Sequence, residues 1–313
     1  VKAFVALGVV VLAVVLVAVP RAAARSETPP PSTHGDRDAI LKTQVLLDRA
    51  AFSVGEIDGR WGDNTERAVR AFQRARNLEP TGTVDAATEA ALGTDAPPLV
   101  DYTITAEDVA GPFVAIPKDM MEKAKLPASG YSSPLEAIAE RAHASPALLT
   151  DLNPGKRFDQ AGETVKLPNV RVDAPAPAAS VVVDGVDLSV SALDAEGKTI
   201  ARYPASVGSE HDPLPVGKWT IKGVARNPPF HYDPKLFWDA KASHDSATIP
   251  PGPNNPVGVV WIDLSKEHYG IHGTPEPSRI SRSESHGCIR LTNWDAMALA
   301  EQVKPGTPAV LQR

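Results

Sequence analysis

Proline placement divides this chain before any other feature is read. Its thirty prolines are about twice the usual share of roughly 5%, and they cluster. Pro29 to Pro31, Pro97-Pro98 and the Pro175/Pro177 pair lie in polar or small-residue stretches at 26–37, 94–101 and 171–180. Each proline fixes φ and removes a backbone donor, so neither helix nor central strand runs through such a stretch. The chain is expected to fold as separate pieces over 38–93, 102–170 and 181–313, in keeping with two or three domains at this length. A formal net charge of −6 and the lack of any basic cluster exclude nucleic acid as the main partner.

Ahead of the first break, Lys2 precedes an unbroken apolar run from Ala3 to Val19, followed by Pro20-Arg21 and Ala22 to Ala24. This pattern predicts a signal peptide or N-terminal anchor over 1–25 and therefore an exported protein of the periplasm or cell envelope. The run is slightly shorter than the ~20 residues that span a bilayer, and the alanines suit cleavage; if uncleaved, the segment would tether the protein to the membrane.

After the polar spacer, Leu41, Val45, Leu46 and Ala50 recur at helical spacing, and Ile57 to Gly62 (IDGRWG) makes a glycine-punctuated turn. Asp63 with Glu66 has the spacing of a capping box for a second helix bearing Ala68, Val69 and Phe72 on one face, and Asp85 opens a third helix through Leu92. This order of DGRWG, AVRAFQ and TGTVD resembles the peptidoglycan-binding domain type 1 family, which implies a three-helix module that binds wall glycan. Between 102 and 170, Ser133-Pro134 starts a helix to His143, Pro146 to Leu152 forms a second, and a strand follows at 163–167. The segment resembles a LysM domain with a divergent first strand, the alternative being a spacer domain. His143 reads as a surface or packing residue.

Beyond 180 the period changes from helical to alternating. SVVVDGVDLSVSAL and KTIARYPASVG flank the turn DAEG at 194–197 and predict a hairpin, with further strands at 217–224, 257–263, 269–272 and 307–311. One helix, Trp294 to Val303 with Asn293 as its cap, completes a mainly β C-terminal domain.

Cys288 is the only cysteine in the chain and sits in Ser285-His286-Gly287-Cys288. A thiol without a disulfide partner in an exported protein suggests a nucleophile, which needs a base or imidazolium to lower its pKa from about 8.5. Both His272 and His286 qualify. On an extended segment His286 and Cys288 share a face, a relation that a turn at Gly287 would break, whereas His272 ends a predicted strand that fixes its ring. Gly287 lets the backbone pass close to substrate, so amides at 287–288 could donate to an oxyanion. Zinc held by His268, His272, His286 and Cys288 is the competing reading. If His268 and His272 lie on a strand they are about 13 Å apart, too far to share one ion. A buried structural thiol is the other alternative, weakened by the polar, glycine-rich neighbours.

The runs NPVGVVWIDL at 255–264, YGIHGTPEP at 269–277 and SRSESHGCIRLTNWDA at 281–296 are similar to the L,D-transpeptidase catalytic domain of the YkuD family. That resemblance covers roughly 180–312. Together with the two upstream readings it predicts a multidomain architecture: a small all-α module, a small α+β middle domain and a mainly-β catalytic domain. It further implies Cys288 as nucleophile, His272 as general base and acid, the Gly273 carbonyl as the group orienting the ring, and Ser285, His286, Gly287 and Arg290 as substrate and oxyanion contacts. No metal or cofactor is implied. The reaction implied is attack on a peptidoglycan tetrapeptide stem, a thioester, and transfer to an amine to make a 3→3 cross-link. Hydrolysis as an L,D-carboxypeptidase, attachment of an envelope protein to the wall, and a non-catalytic wall-binding protein are the alternatives. Leu214 stands where many members have threonine, and the loop from His272 to Ser285 is short for the family.

Overall fold

The computed structural model describes residues 1, 36–93, 96–170 and 176–313. The apolar run predicted as signal or anchor, and the spacer up to residue 35, lie outside the described residues. Among the described residues no helix is long and apolar enough to cross a membrane.

Three helices open the fold, α1 (Arg37–Arg49), α2 (Asp63–Ala75) and α3 (Ala86–Leu92). Helix α1 starts inside the stretch read as linker, because the Asp36 side chain accepts from the Asp38 amide and caps it. The expected capping box at Asp63 does not form: Gly62 is the N-cap, Asp63 is the first helical residue, and Glu66 instead pairs with Arg70. Asp85 does cap α3, accepting from the Thr88 amide. A middle α/β region follows: β1 (Leu99–Thr103), α4 (Met120–Lys123), α5 (Pro134–Arg141), α6 (Pro146–Leu152) and β2 (Thr164–Pro168). Strands β1 and β2 pair antiparallel from Leu99↔Pro168 to Thr103↔Thr164, so the strand begins directly after Pro97-Pro98 inside the predicted linker. Helix α5 ends at Arg141 rather than His143, whose backbone is left-handed at φ 52°.

The C-terminal region carries β3 (Ser180–Asp184), β4 (Ser189–Leu193), β5 (Thr199–Pro204), β6 (Ser206–Val207), β7 (Gly217–Arg226), β8 (Phe230–Tyr232), β9 (Ala247–Ile249), β10 (Val260–Leu264), β11 (Gly270–His272), β12 (Ile289–Arg290), α7 (Asn293–Gln302) and β13 (Pro308–Gln312). Nine strands form one mixed sheet in the order β5-β4-β3-β13-β7-β10-β11-β12-β6, and β8 pairs with β9 as a separate hairpin. The two outermost strands, β5 and β6, are separated in sequence by Ala205 alone. The sheet must therefore curl until its edges nearly meet, a nearly closed mixed barrel. Its apolar filling comes from alternate positions, among them Val181, Val183, Val190, Ala192, Ile262, Ile271 and Ile289, with Leu299 and Ala300 of α7 packed on them. Leu214 is buried in the same cluster, an apolar role that a threonine hydroxyl would fill poorly. A second apolar cluster joins the first helices to the middle region, with Phe52, Phe72, Ile138, Leu149 and Val165.

The two halves meet along a seam of buried polar groups. The Ser53 amide donates to the Arg202 carbonyl and the Arg202 amide to the Ala51 carbonyl, both at 2.8 Å, so 51–53 covers the open edge of β5. At the start of α7, whose N-cap is Thr292 and not Asn293, the Asp295 carboxylate accepts from Ser53 Oγ at 2.9 Å and the Trp294 ring stacks on His143 at 5.2 Å. His143 also bonds Asp48 Oδ2 at 2.8 Å, which makes it a packing residue of the seam.

Burial is the main cause that raises the Asp295 pKa to about 7; Asp48 adds to it, while His143, Thr292 and Ser53 oppose it. Asp295 is thus protonated in the fold under conditions where the unfolded chain has ionised, so its stabilising contribution is complete below about pH 4 and lost as pH rises through 7. His272, discussed below, acts in the opposite sense but only beneath its unfolded value of about 6.5. Melting temperature is therefore expected to fall between pH 6.5 and 8.5, with Glu56 and Glu140, which burial also raises to about 7, acting in the same sense, and Asp295→Asn to lessen that decline, measured by calorimetry at matched ionic strength.

Candidate active site

Strands β10, β11 and β12 sort the site into two faces by their register. Trp261 pairs with His272 and Ile262 with Ile271, while Ile271 pairs with Ile289 and His272 with Arg290 in the parallel ladder. Residues directly opposite share a face and neighbours along a strand do not. The row Ile262, Ile271, Ile289 therefore points into the core, where each is fully buried. The other row holds Trp261, His272 and Arg290, with Gly270 and Cys288 two positions before the last two.

His272 is 5% exposed. Its Nδ1 lies 2.7 Å from the Gly273 carbonyl, and since a carbonyl can only accept, that nitrogen carries the hydrogen. Nε2 is left as a bare basic lone pair. The Trp261 ring stacks on the imidazole at 5.4 Å with a 15° tilt. The same indole covers Gly270, where an added Cβ would come within 2.5 Å of it. Burial lowers the His272 pKa to about 4; the Gly273 carbonyl resists that shift and the Arg290 charge adds to it. The imidazole is neutral at physiological pH.

Cys288 is a free, partly buried thiol directly ahead of β12. Its Sγ contacts the His268 carbonyl at 3.7 Å. Burial pushes its pKa up; the Gly270 amide and the Arg290 charge favour the thiolate, and Asp212 disfavours it. Gly287 before it has φ +89°, a left-handed conformation that turns the chain and separates His286 from Cys288. Ser285 Oγ closes the turn by donating to the Cys288 carbonyl at 2.5 Å.

His286 points instead into the β8–β9 hairpin. Its Nε2 meets Asp239 Oδ1 at 2.9 Å, and the Phe237 and Trp238 rings lie 5.0 and 5.8 Å from it. A cavity of about 290 Å³ is lined here by Trp238, Asp239, Arg279, Ser285, His286 and Arg290. The hairpin loop is held from outside as well: Asp119, the N-cap of α4, takes Lys241 Nζ at 2.5 Å and His244 Nε2 at 3.2 Å. Ser285, His286 and Arg290 are thus brought to one cavity, while His272 lies at the end of β11 with the Gly273 carbonyl on its Nδ1, and Cys288 stands directly ahead of β12. Among the described residues no group of three or more His, Cys, Asp or Glu side chains is arranged to hold a metal ion.

Sequence reasoning passed over Trp261, Asp239 and the true place of Asn293. Trp261 could have been found from strict alternation through VWIDL once β10 was paired with the strand ending at His272. Asp239 sits in a loop with no periodic signal, and its partnership with His286 depends on tertiary structure.

The L,D-transpeptidase catalytic domain family, YkuD, matches residues 178–311, and a peptidoglycan binding domain family matches residues 36–92. The chain is 34% identical over 176 residues to YkuD of Bacillus licheniformis, covering 55% of this chain and 90% of that protein. It is 29% identical over 180 residues to YkuD of Bacillus subtilis strain 168, covering 57% and 93%. A crystal structure of L,D-transpeptidase 3 from Mycobacterium tuberculosis with a faropenem-derived adduct aligns with TM-score 0.36 at 18% identity, over 49% of this chain and 75% of that one.

The electrostatics have a direct chemical readout, because a single thiol makes alkylation specific. Iodoacetamide is expected to modify Cys288 at pH 7 more slowly than free cysteine, with a rate still rising above pH 9 and no thiolate plateau near neutrality. Mass-spectrometric labelling across pH measures it.

Proposed function

Since the chain belongs to the YkuD family of L,D-transpeptidases, enzymes that act on peptidoglycan at the cell envelope, we propose that Cys288 and His272 carry the reaction as nucleophile and proton-transfer group. The observation that carries this reading is the β11–β12 ladder, which pairs His272 with Arg290 two positions after Cys288, with Nε2 of His272 left as a base by the Nδ1 bond to Gly273. Burial, which raises the Cys288 pKa and lowers that of His272, favours general-base attack over a standing ion pair. As Sγ adds to the carbonyl between the third stem residue and terminal D-alanine, Nε2 takes the thiol proton. The Gly287 and Cys288 amides receive the oxyanion. Collapse breaks the C–N bond, and the proton passes to the departing D-alanine amine, leaving a thioester on Cys288. An amine from a neighbouring stem, the diaminopimelate side chain in the simplest case, then attacks. His272 takes its proton, the C–S bond breaks, and the thiol recovers its hydrogen. The product is a 3→3 cross-link.

The cavity lined by Ser285, His286 and Arg290 supports a donor subsite, its guanidinium suited to a stem carboxylate. The matched peptidoglycan-binding module at 36–92 supports retention on the polymer, which raises the local concentration of stems without new contacts at the thiol. For the middle region, helices α5 and α6 between a pair of antiparallel strands, with the short α4 ahead of them, support the LysM-like reading and a second grip on glycan.

Muropeptides incubated with the enzyme and analysed by mass spectrometry test the reading. Cross-linked dimers are expected with the wild type. Cys288→Ala and His272→Ala are each expected to reduce them on the order of 10³-fold or more. Shortened monomers without dimers would replace transfer by hydrolysis, and dimers formed by Cys288→Ala would refute the nucleophile.

A further inference from the structure

We propose that Glu140, in helix α5 of the middle region, is a positioning residue for the His272 imidazole, acting through Asn293 and the Gly273 carbonyl. The proposal rests on the reading of His272 as the proton-transfer group.

The connection can be followed atom by atom. Asn293 opens α7 and is 1% exposed. Its Nδ2 donates to both carboxylate oxygens of Glu140, at 3.2 and 3.1 Å, and to the Pro253 carbonyl at 3.1 Å. Its Oδ1 accepts from the Val259 amide at 3.3 Å. Every polar atom of the amide is therefore committed, and its orientation follows from Glu140 on one side and Val259 on the other. That oxygen is also wedged between two glycines. A Cβ built on Gly273 would fall 2.2 Å from Asn293 Oδ1, and one built on Gly258 would fall 2.0 Å from it. The Gly273 backbone consequently rests against the Asn293 side chain, and the carbonyl of that glycine holds His272 Nδ1–H at 2.7 Å. Asn293 Oδ1 thus fills the space beside the Gly273 backbone, and turning the amide away would remove that support next to the group that aims the imidazole.

Glu140 is fixed in turn. Tyr131 Oη donates to Oε1 at 3.1 Å, and the adjacent turn of α5 is pinned to the same loop by Glu136, which accepts from Asn254 Nδ2 at 2.7 Å. The titratable and charged groups around Glu140 are Tyr131, Glu136, Arg141 and His143; at the far end Arg290 faces His272. Burial raises the Glu140 pKa to about 7, opposed by the bonds from Asn293 and Tyr131. Either protonation state keeps a carboxyl oxygen for Asn293. A catalytic ring is thus held by a residue of the neighbouring region, roughly 130 residues earlier in the chain. A purely architectural Glu140 would predict only a change in stability.

The test uses the full chain. Glu140→Ala is expected to lower kcat on a tetrapeptide-stem muropeptide about tenfold to a hundredfold with KM little changed, the scale expected when a reacting group shifts by about an ångström. Its curve of Cys288 alkylation by iodoacetamide against pH is expected to move toward that of His272→Ala. Glu140→Gln keeps an oxygen for Asn293 and is expected to restore both. If Glu140→Ala does not fold, Glu140→Asp withdraws the carboxylate by one methylene, and an intermediate kcat is expected. A folded Glu140→Ala or Glu140→Asp with wild-type kcat and alkylation curve overturns the proposal while leaving His272 in place. Turnover by His272→Ala would instead remove the reading on which it rests.

Discussion

An imidazole buried to 5% exposure must find an acceptor for its N–H, because an unmade hydrogen bond in the interior costs about 1–3 kcal/mol. The Gly273 carbonyl meets that need from the next residue along the chain. Much of the site's geometry follows from this one bond. It decides which nitrogen is basic, and it requires the 273 backbone to lie where only a glycine fits against Asn293. It also leaves one face of the ring free for Trp261 to cover. The isoleucine row through β10, β11 and β12 secures the same arrangement from below. A slip of one residue in this register would send Ile271 to the reactive face and His272 into the core, so hydrophobic burial and chemistry enforce a single pairing.

Closure of the sheet explains why the N-terminal half takes part in the same compact unit. With only Ala205 between the outermost strands, β5 is left as an edge whose amides and carbonyls need partners. The segment 51–53 supplies them at Arg202, a residue 1% exposed whose guanidinium is paired with Asp187. On the far side, Asp119 grips the hairpin loop that meets His286, and Glu136 and Glu140 grip the loop and helix behind His272. The middle region thus touches the site from two directions, through polar contacts that depend on geometry more than on apolar area.

What could be read from sequence was whatever depends on local pattern. Alternation located β4, β5, β7, β11 and β13, proline and serine located the starts of α5 and α6, and the lone Cys288 directly after His286-Gly287 drew attention to the stretch proposed as reactive. The short strands β6, β8, β9 and β12 escaped, since two or three residues carry no period. Asn293 was assigned as a helix cap on good local grounds, yet Thr292 occupies that role and Asn293 turns inward, because Glu140 and Gly273 are closer to it in space than any sequence signal can express. The same limit hid Asp239 beside His286. Partners separated by 47 and 153 residues are products of the tertiary fold.

Burial disfavours the charged forms of both the thiol and the imidazole, which suits the surroundings of a cell-envelope enzyme. Oxidation of a cysteine proceeds through its thiolate, so a preformed ion pair would expose the chain's single thiol to continual loss. Burial raises the Cys288 pKa and lowers that of His272, which keeps the reactive form scarce between turnovers. The imidazole nevertheless remains a base of the correct tautomer, able to take the proton at the moment of attack. The arrangement gives up some ground-state nucleophilicity. In the proposed reaction, activation would depend on a stem peptide placing its carbonyl beside the thiol, and the orientation of His272 would then decide whether the proton can leave.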